Sequence, residues 1–269
     1  MSSNRVLQEL AARQPRTGIP FLEAFRIHDG PPGLLGRFFL SADTRLRERG
    51  ITLGFITFDE LVALSERNAD NWGSFNPMFD PRYADIPPGS LCLAGFDVRG
   101  DIKICICAKP FDASNESFAS LVNAGGFASI RPEQNTDRIE TTINAPFAYE
   151  LRGLLGYVGA LWVHPDLRGA RLASIFGYVV NSCLVTLWNP SHLLGSVQHT
   201  TVGTGLFQRY GYGHSMSSLI VTAGGKQAAD LTILYMTAGE FLDGLAAYLD
   251  EIWPKIDAAV AARDRQHSA

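Results

Sequence analysis

Cysteine is scarce in this chain of 269 residues. The four present, Cys92, Cys105, Cys107 and Cys183, are too few and too scattered for a disulfide scaffold. Cys105 and Cys107 alternate on a β-rich run and so share one face. With no Cys or His partners at metal spacing, they read as small buried apolar residues and no metal is expected. Long apolar runs are also missing. No stretch of 18 apolar residues occurs, which excludes a transmembrane helix by sequence. The polar lead MSSNRVLQELAARQPRTG lacks a signal-peptide stretch, so a cytoplasmic protein is expected. Positive charge is not in excess either. The net charge is −4, which gives no global field to attract nucleic acid or an anionic membrane, and neither is expected as a partner. Arg45, Arg47 and Arg49 read as a solvated face. There is no G-x-S-x-G, H-E-x-x-H, P-loop or dinucleotide fingerprint, no internal repeat and no low-complexity tract.

What is present is an ordinary globular composition, 46% apolar and 19% charged, in a chain longer than most compact α/β domains. Residues 4–13 have helical character, stopped by Pro15 and Pro20. The stretch HDGPPGLLG at 28–36 reads as turn, because Gly and Pro break both helix and ladder. ITLGFIT at 51–57 reads as a strand, and Thr57 as the N-cap of a helix over 58–68, with Glu60 at the third helical position. Residues 71–90 have neither period, and their aromatics read as packing an ordered loop onto the core. LCLAGFDV and IKICICAK, joined by Arg99-Gly100-Asp101, predict a β-hairpin. A helix follows and ends near Gly125-Gly126. The polar piece at 131–146 reads as a linker or insertion. From 147 onward the order is strand, helix, strand, short helix, strand pair and C-terminal helix. On the strand LGYVGALWVHP the period-two rule puts Tyr157 and Trp162 on opposite faces.

The segment YVGALWVHPDLRGARLASIF at 157–176 carries the chemistry. A helix start leaves backbone N–H groups unpaired and presents the positive end of the macrodipole, so strand, tight turn, Arg-Gly and helix make a pyrophosphate site. Gly169, Ala170 and Ala173 supply smallness, and Arg168 and Arg171 supply charge.

VHPDLRGARLA resembles the central motif of the GNAT (N-acetyltransferase) superfamily, through Val163, Pro165, Arg168, Gly169 and Ala173. LFQRYGY at 206–212 is similar to that family's aromatic-x-Lys/Arg-x-Gly-aromatic ending. Arg171 stands where the family prefers glycine, Phe207 where many members carry a proton-donating tyrosine, and Thr200 near the place of a common asparagine. The resemblance implies an α/β (α+β) fold with a central mixed, mostly antiparallel sheet flanked by helices. It implies a division into an N-terminal extension (1–50), a GNAT-like acyltransferase domain (51–253, with an insertion near 126–146) and a C-terminal tail (254–269). It also implies acetyl-CoA or another acyl-CoA as co-substrate and an amine-bearing acceptor, with direct acyl transfer between them. Strand backbone at Val163 and its neighbours Leu161 and Trp162 would polarise the carbonyl. Arg168, Gly169, Ala170, Arg171, Leu172 and Ala173 would cradle the pyrophosphate, with Phe207 beside the cofactor. His164, His199, Tyr210 and Tyr212 are the candidates for proton handling. Glu60, Glu66, Asp80 and Asp85 are upstream carboxylates that could meet an amine. A binding module without transfer and a synthase of a small acylated metabolite stay open beside the transferase, and a homodimer is one expectation for assembly.

Overall fold

The computed structural model describes residues 3–252 apart from 74, 170, 206 and 207. Helices α1 (Ser3–Ala12), α2 (Phe21–Ala24) and α3 (Pro32–Glu48) precede the first strand. The turn expected at 28–36 holds at 28–31, with a bend at 29–30, and from Pro32 gives way to α3, because proline in a first turn has a missing N–H that costs nothing and a fixed φ that suits the helix. Strand β1 (Thr52–Ile56) leads to α4 (Phe58–Arg67). There the anticipated cap closes fully. The Glu60 N–H donates to Thr57 Oγ1 at 3.1 Å, and the Thr57 N–H donates to Glu60 Oε2 at 2.7 Å. After α5 (Ala69–Trp72) come the hairpin strands β2 (Leu91–Phe96) and β3 (Ile102–Ala113), then α6 (Phe118–Asn123).

The polar piece at 131–146 yields strand β4 (Glu140–Ile143), with Thr141 and Ile143 inward and Glu140 and Thr142 outward. Four alternating residues are a weak sequence signal, and pairing with a distant strand supplies the rest. Then come β5 (Gly153–Val163), α7 (Leu172–Trp188), β6 (His192–Gln198), β7 (His214–Ala223), β8 (Lys226–Thr237) and α8 (Ala238–Ala247). The short helix expected between β6 and β7 is replaced by 3₁₀ pieces, His199–Thr204 and Gln208–Tyr210. Gly203, Gly205 and Gly211 in this stretch disfavour a regular helix.

The eight strands form one sheet in the order β1-β2-β3-β5-β6-β8-β7-β4. Every pairing is antiparallel except β5–β6. That parallel pair requires a crossover, and α7 provides it. Helix α7 is mostly apolar on every side and buried except at Ala173 and Ser174, as suits a helix enclosed on several sides. On its side of the sheet lies a core that includes Phe21, Phe38 and Leu46 from α2 and α3. The opposite face is covered by α4, the 75–79 loop and α6, through Leu61, Phe79 and Phe118. All four cysteines are buried and free, and Cys105 and Cys107 do share one face.

One irregularity shapes the site. On β5, Gly159 faces Cys107 and Trp162 faces Cys105, so three steps on β5 match two on β3. The extra residue is a bulge at Ala160, whose φ of +51° lies in the left-handed region. The bulge shifts the period by one. Tyr157 and Trp162, expected on opposite faces, therefore both pack into the same core.

Candidate functional site

Strands β5 and β6 are paired only from Leu155–His192 to Val158–Gly195. Beyond that point β5 keeps its bonds to β3 as far as Val163, and β6 keeps its bonds to β8 as far as Gln198. The two facing edges part into a wedge with no ladder partner. A wedge of this kind is a place where an extended ligand can bond to strand backbone. On the side away from α7, the Tyr157 hydroxyl spans to Ser196 Oγ at 2.7 Å and ties the strands together. Burial pushes the Tyr157 phenol up to about 12, with Ser196 opposing.

The α7 side carries two cavities. The larger, about 610 Å³, surrounds the start of α7 and is lined by Val163, Leu167, Arg168, Gly169, Arg171, Leu172, Ala173, Ser174, Tyr178, Gln208, Arg209, Tyr210 and Tyr248. Three of these are arginines and none is Asp or Glu. The first turn of α7 aims its orphan N–H groups into the same space, so helix end and side chains favour an anion together. Gly169 with φ +86° and Arg171 with φ +58° make the turn. Arg168 is partly committed to the fold: its Nε donates to the Val163 carbonyl at 3.3 Å and its Nη2 to the Asn71 carbonyl at 2.9 Å. The apolar wall includes Tyr248 stacked on Tyr178, ring centroids 3.9 Å apart.

The smaller cavity, about 200 Å³, lies between the wedge and α7. Val158, Gly159, Ala160 and Leu161 of β5 border it, with Gly195, Ser196 and Val197 of β6 and Gly177 and Asn181 of α7. Tyr210 lines both cavities. Burial raises the Tyr210 phenol above its ordinary range, with Arg209 opposing.

The candidate residues of the sequence divide accordingly. Val163, Arg168, Gly169, Arg171, Leu172 and Ala173 line the larger cavity, Leu161 and Tyr212 the smaller, and Tyr210 both. Tyr212 is buried, donates its hydroxyl to the Leu194 carbonyl at 3.2 Å, and has its phenol raised by burial. Trp162 lines neither. The Ala160 bulge turns it to the other face, where it stacks on Trp72 with centroids 5.0 Å apart. His164 caps the following 3₁₀ turn, its Nδ1 accepting from the Asp166 N–H at 3.3 Å, and it borders neither cavity. His199 Nδ1 lies 2.9 Å from Thr232 Oγ1, also outside both linings. Ala170 and Phe207 lie outside the described residues. The four upstream carboxylates have structural partners: Glu60 in its capping box, Glu66 and Asp80 on Arg82, and Asp85 near Arg131.

Sequence reasoning missed Arg209, Tyr178, Tyr248 and Asn181. Arg209 stood inside the LFQRYGY match as its basic position and could have been read as a phosphate partner. Tyr248 carried no signal, since only the chain's return across α7 brings it to the site.

No protein-family model and no curated protein sequence matches the chain. Solved structures similar to it include the dodecameric spermidine N-acetyltransferase from Vibrio cholerae, 10% identical over 72% of this chain and 98% of that one, with a TM-score of 0.41. Arabidopsis thaliana NAA60 in complex with acetyl-CoA is 14% identical over 70% and 99%, with a TM-score of 0.44. FeeM, an N-acyl amino acid synthase from uncultured soil microbes, is 14% identical over 71% and 92%, with a TM-score of 0.40. At these identities and TM-scores the likeness assigns no role to this chain.

Proposed function

We propose that this chain is an acyl-CoA-dependent N-acyltransferase that moves the acyl group directly from the thioester to an amine. One observation carries the reading: an arginine-rich, carboxylate-free cavity at a helix start shares Tyr210 with a second cavity at the wedge between β5 and β6. Coenzyme A has that profile. Its phosphates suit Arg171, Arg209 and the α7 N–H groups, and its extended pantetheine arm suits the unpaired strand edges.

With the donor so placed, the thioester carbonyl lies by the bulged segment 159–161, where strand N–H groups can stabilise the oxyanion. The amine nitrogen forms the C–N bond as the C–S bond breaks. The departing thiolate takes a proton, and the ammonium loses one to solvent or a base. Tyr210 is the preferred donor to the thiolate, because it borders both cavities and a phenol carries its proton at neutral pH; burial, which raises it, keeps the proton on but weakens the acid. Acceptor and donor held in one geometry supply most of the acceleration, so no covalent enzyme intermediate is needed.

Titration calorimetry with coenzyme A and acetyl-CoA tests the premise. Absence of heat for both would falsify it. Thiol release on adding amines then separates a transferase from a module that only binds.

A further inference from the structure

Helix α7 is mostly apolar, with Asn181, Ser182 and Thr186 as fully buried polar residues, and of these Asn181 lines the smaller cavity, at the wedge. Its amide faces the Tyr212 hydroxyl, which it helps hold down against the upward push of burial, but neither Nδ2 nor Oδ1 closes a hydrogen bond of good geometry among the described residues. A buried amide left in that state is costly, and such groups in folded proteins generally have a ligand or water to satisfy them. Gly177, one turn earlier on the same face of α7, leaves the space that a side chain would fill. Gly195 does the same from β6, where an added Cβ would stand 3.1 Å from the Tyr212 hydroxyl. That hydroxyl is the second polar atom at this end of the cavity. Its proton goes to the Leu194 carbonyl, which leaves its oxygen as an acceptor. Ser196 and Tyr210 also border the cavity, and much of the remaining lining is apolar, through Ile106, Val158, Leu161 and Leu234.

We propose that this cavity is the acyl-chain subsite of the donor and that it selects chains carrying a hydroxyl or keto oxygen, held by the Asn181 amide. The inference rests on the acyl-CoA reading above and goes beyond it in naming the acyl class. Volume argues for a chain longer than acetyl. A cavity of about 200 Å³ holds roughly six groups of water or methylene size at ~30 Å³ each, and an acetyl methyl is one. Chemistry argues for the oxygen. An unsubstituted chain would bury Asn181 against methylenes, with the Tyr212 oxygen as a poorly placed acceptor for Nδ2 and nothing for Oδ1. A chain hydroxyl can accept from Nδ2 and donate to Oδ1, and a keto oxygen can accept from Nδ2. A site that expects a polar group rejects the analogue lacking it far more strongly than an apolar pocket rejects an added methylene.

The test compares acetyl-, hexanoyl-, 3-hydroxyhexanoyl- and 3-oxohexanoyl-CoA as donors for the full chain, by calorimetry and by thiol release with an amine acceptor. The expected result is a preference of about ten- to a hundred-fold in kcat/KM for the oxygenated chains over hexanoyl. In Asn181→Leu that ratio falls towards one. Gly177→Val, whose Cβ would stand 3.6 Å from Tyr210, narrows the cavity while keeping the amide and shifts preference towards acetyl-CoA. The hydroxy and keto arms show which oxygen is read. Equal use of hexanoyl and its oxygenated forms by the wild type overturns the inference, as does a preference for acetyl-CoA, which would mean that the cavity holds water alone. Those outcomes need only the wild type, so they stand even if a variant fails to fold. If no coenzyme A species binds at all, the acyl-CoA reading itself is overturned, and that result is distinct from binding that ignores the chain.

Discussion

Arg171→Gly separates two effects that Arg171 combines. The residue sits at φ +58° and ψ 16°, immediately before α7, in a conformation that costs an L-residue roughly 1–2 kcal/mol and glycine almost nothing. Glycine also has more unfolded-state entropy to lose, roughly 0.5–1 kcal/mol. The net expectation is a gain of about 0.5–1 kcal/mol, or about 2 °C in Tm for a chain of this size. Binding moves the other way. The side chain lines the larger cavity and is exposed, so its attraction to a phosphate at contact lies between about 1 kcal/mol in water and about 4 at a protein surface. Taking the lower half of that range, coenzyme A binding weakens about five- to sixty-fold. The loss should shrink as the Debye length falls from roughly 10 Å at 0.1 M salt to about 3 Å at 1 M. Arg171→Lys, which keeps both the charge and the strained backbone, should retain most of the affinity and show no rise in Tm. Calorimetry at two salt concentrations with a thermal melt of each variant reads all three quantities. Equal or tighter coenzyme A binding by Arg171→Gly at 0.1 M salt refutes the electrostatic assignment, whatever the melt shows.

Three other outcomes follow from the same geometry. Gly159→Ala would put a Cβ 2.7 Å from Phe79 Cε2 inside a packed aromatic cluster, and should cost about 1–3 kcal/mol in denaturant unfolding; a neutral result would show that the loop carrying Phe79 yields freely. Lys109 is fully buried, donates to the Met78 and Asp85 carbonyls at 2.7 Å each, and is lowered by burial to about 8, Asp85 opposing. Between about pH 8 and its ordinary value of 10.5 the unfolded chain holds the proton more tightly than the folded one, so this group makes stability rise with pH across that window. The rise should be smaller in Lys109→Met, and identical slopes in the two proteins would show that Lys109 is charged equally in both states. Tyr210→Phe should lower kcat about a hundred-fold, with a smaller change in KM for the donor, and a kcat equal to wild type removes Tyr210 from proton transfer.

Local chemistry made parts of this fold legible in the sequence. The Thr57–Glu60 capping box, the 91–109 hairpin and the Arg-Gly turn before α7 each depend on residues a few positions apart, and each lies where the pattern put it. Helix α3 was obscured by Pro31, Pro32 and Gly33, although proline at a helix start is itself a signal. Other features depend on contacts that no window contains. Strand β4 exists because β7 offers an edge to it. The bulge falls on an alanine, with neither glycine nor asparagine to announce a positive φ, so a strict period-two reading through it assigns every later side chain to the wrong face. Asn181 sits in an apolar run, where one amide among aliphatics gives no hint of a cavity.

That single bulge couples the two faces of the sheet. On the face away from α7 it turns Trp162 back into the core against Trp72, and this stack together with the Arg168–Asn71 hydrogen bond fastens α5 to the strand and to the turn that follows it. On the α7 face it directs Leu161 and Val163 towards the cavities, beside the unpaired edge of β6. Without the extra residue, Trp162 would point into the space beneath α7 and its indole would occupy the route between the two cavities. In the proposed acyl-CoA site the bulge would therefore do more than expose backbone N–H groups to a thioester. It would keep the largest side chain of β5 out of the donor's path, and the same displacement anchors the arginine turn proposed to bind phosphate.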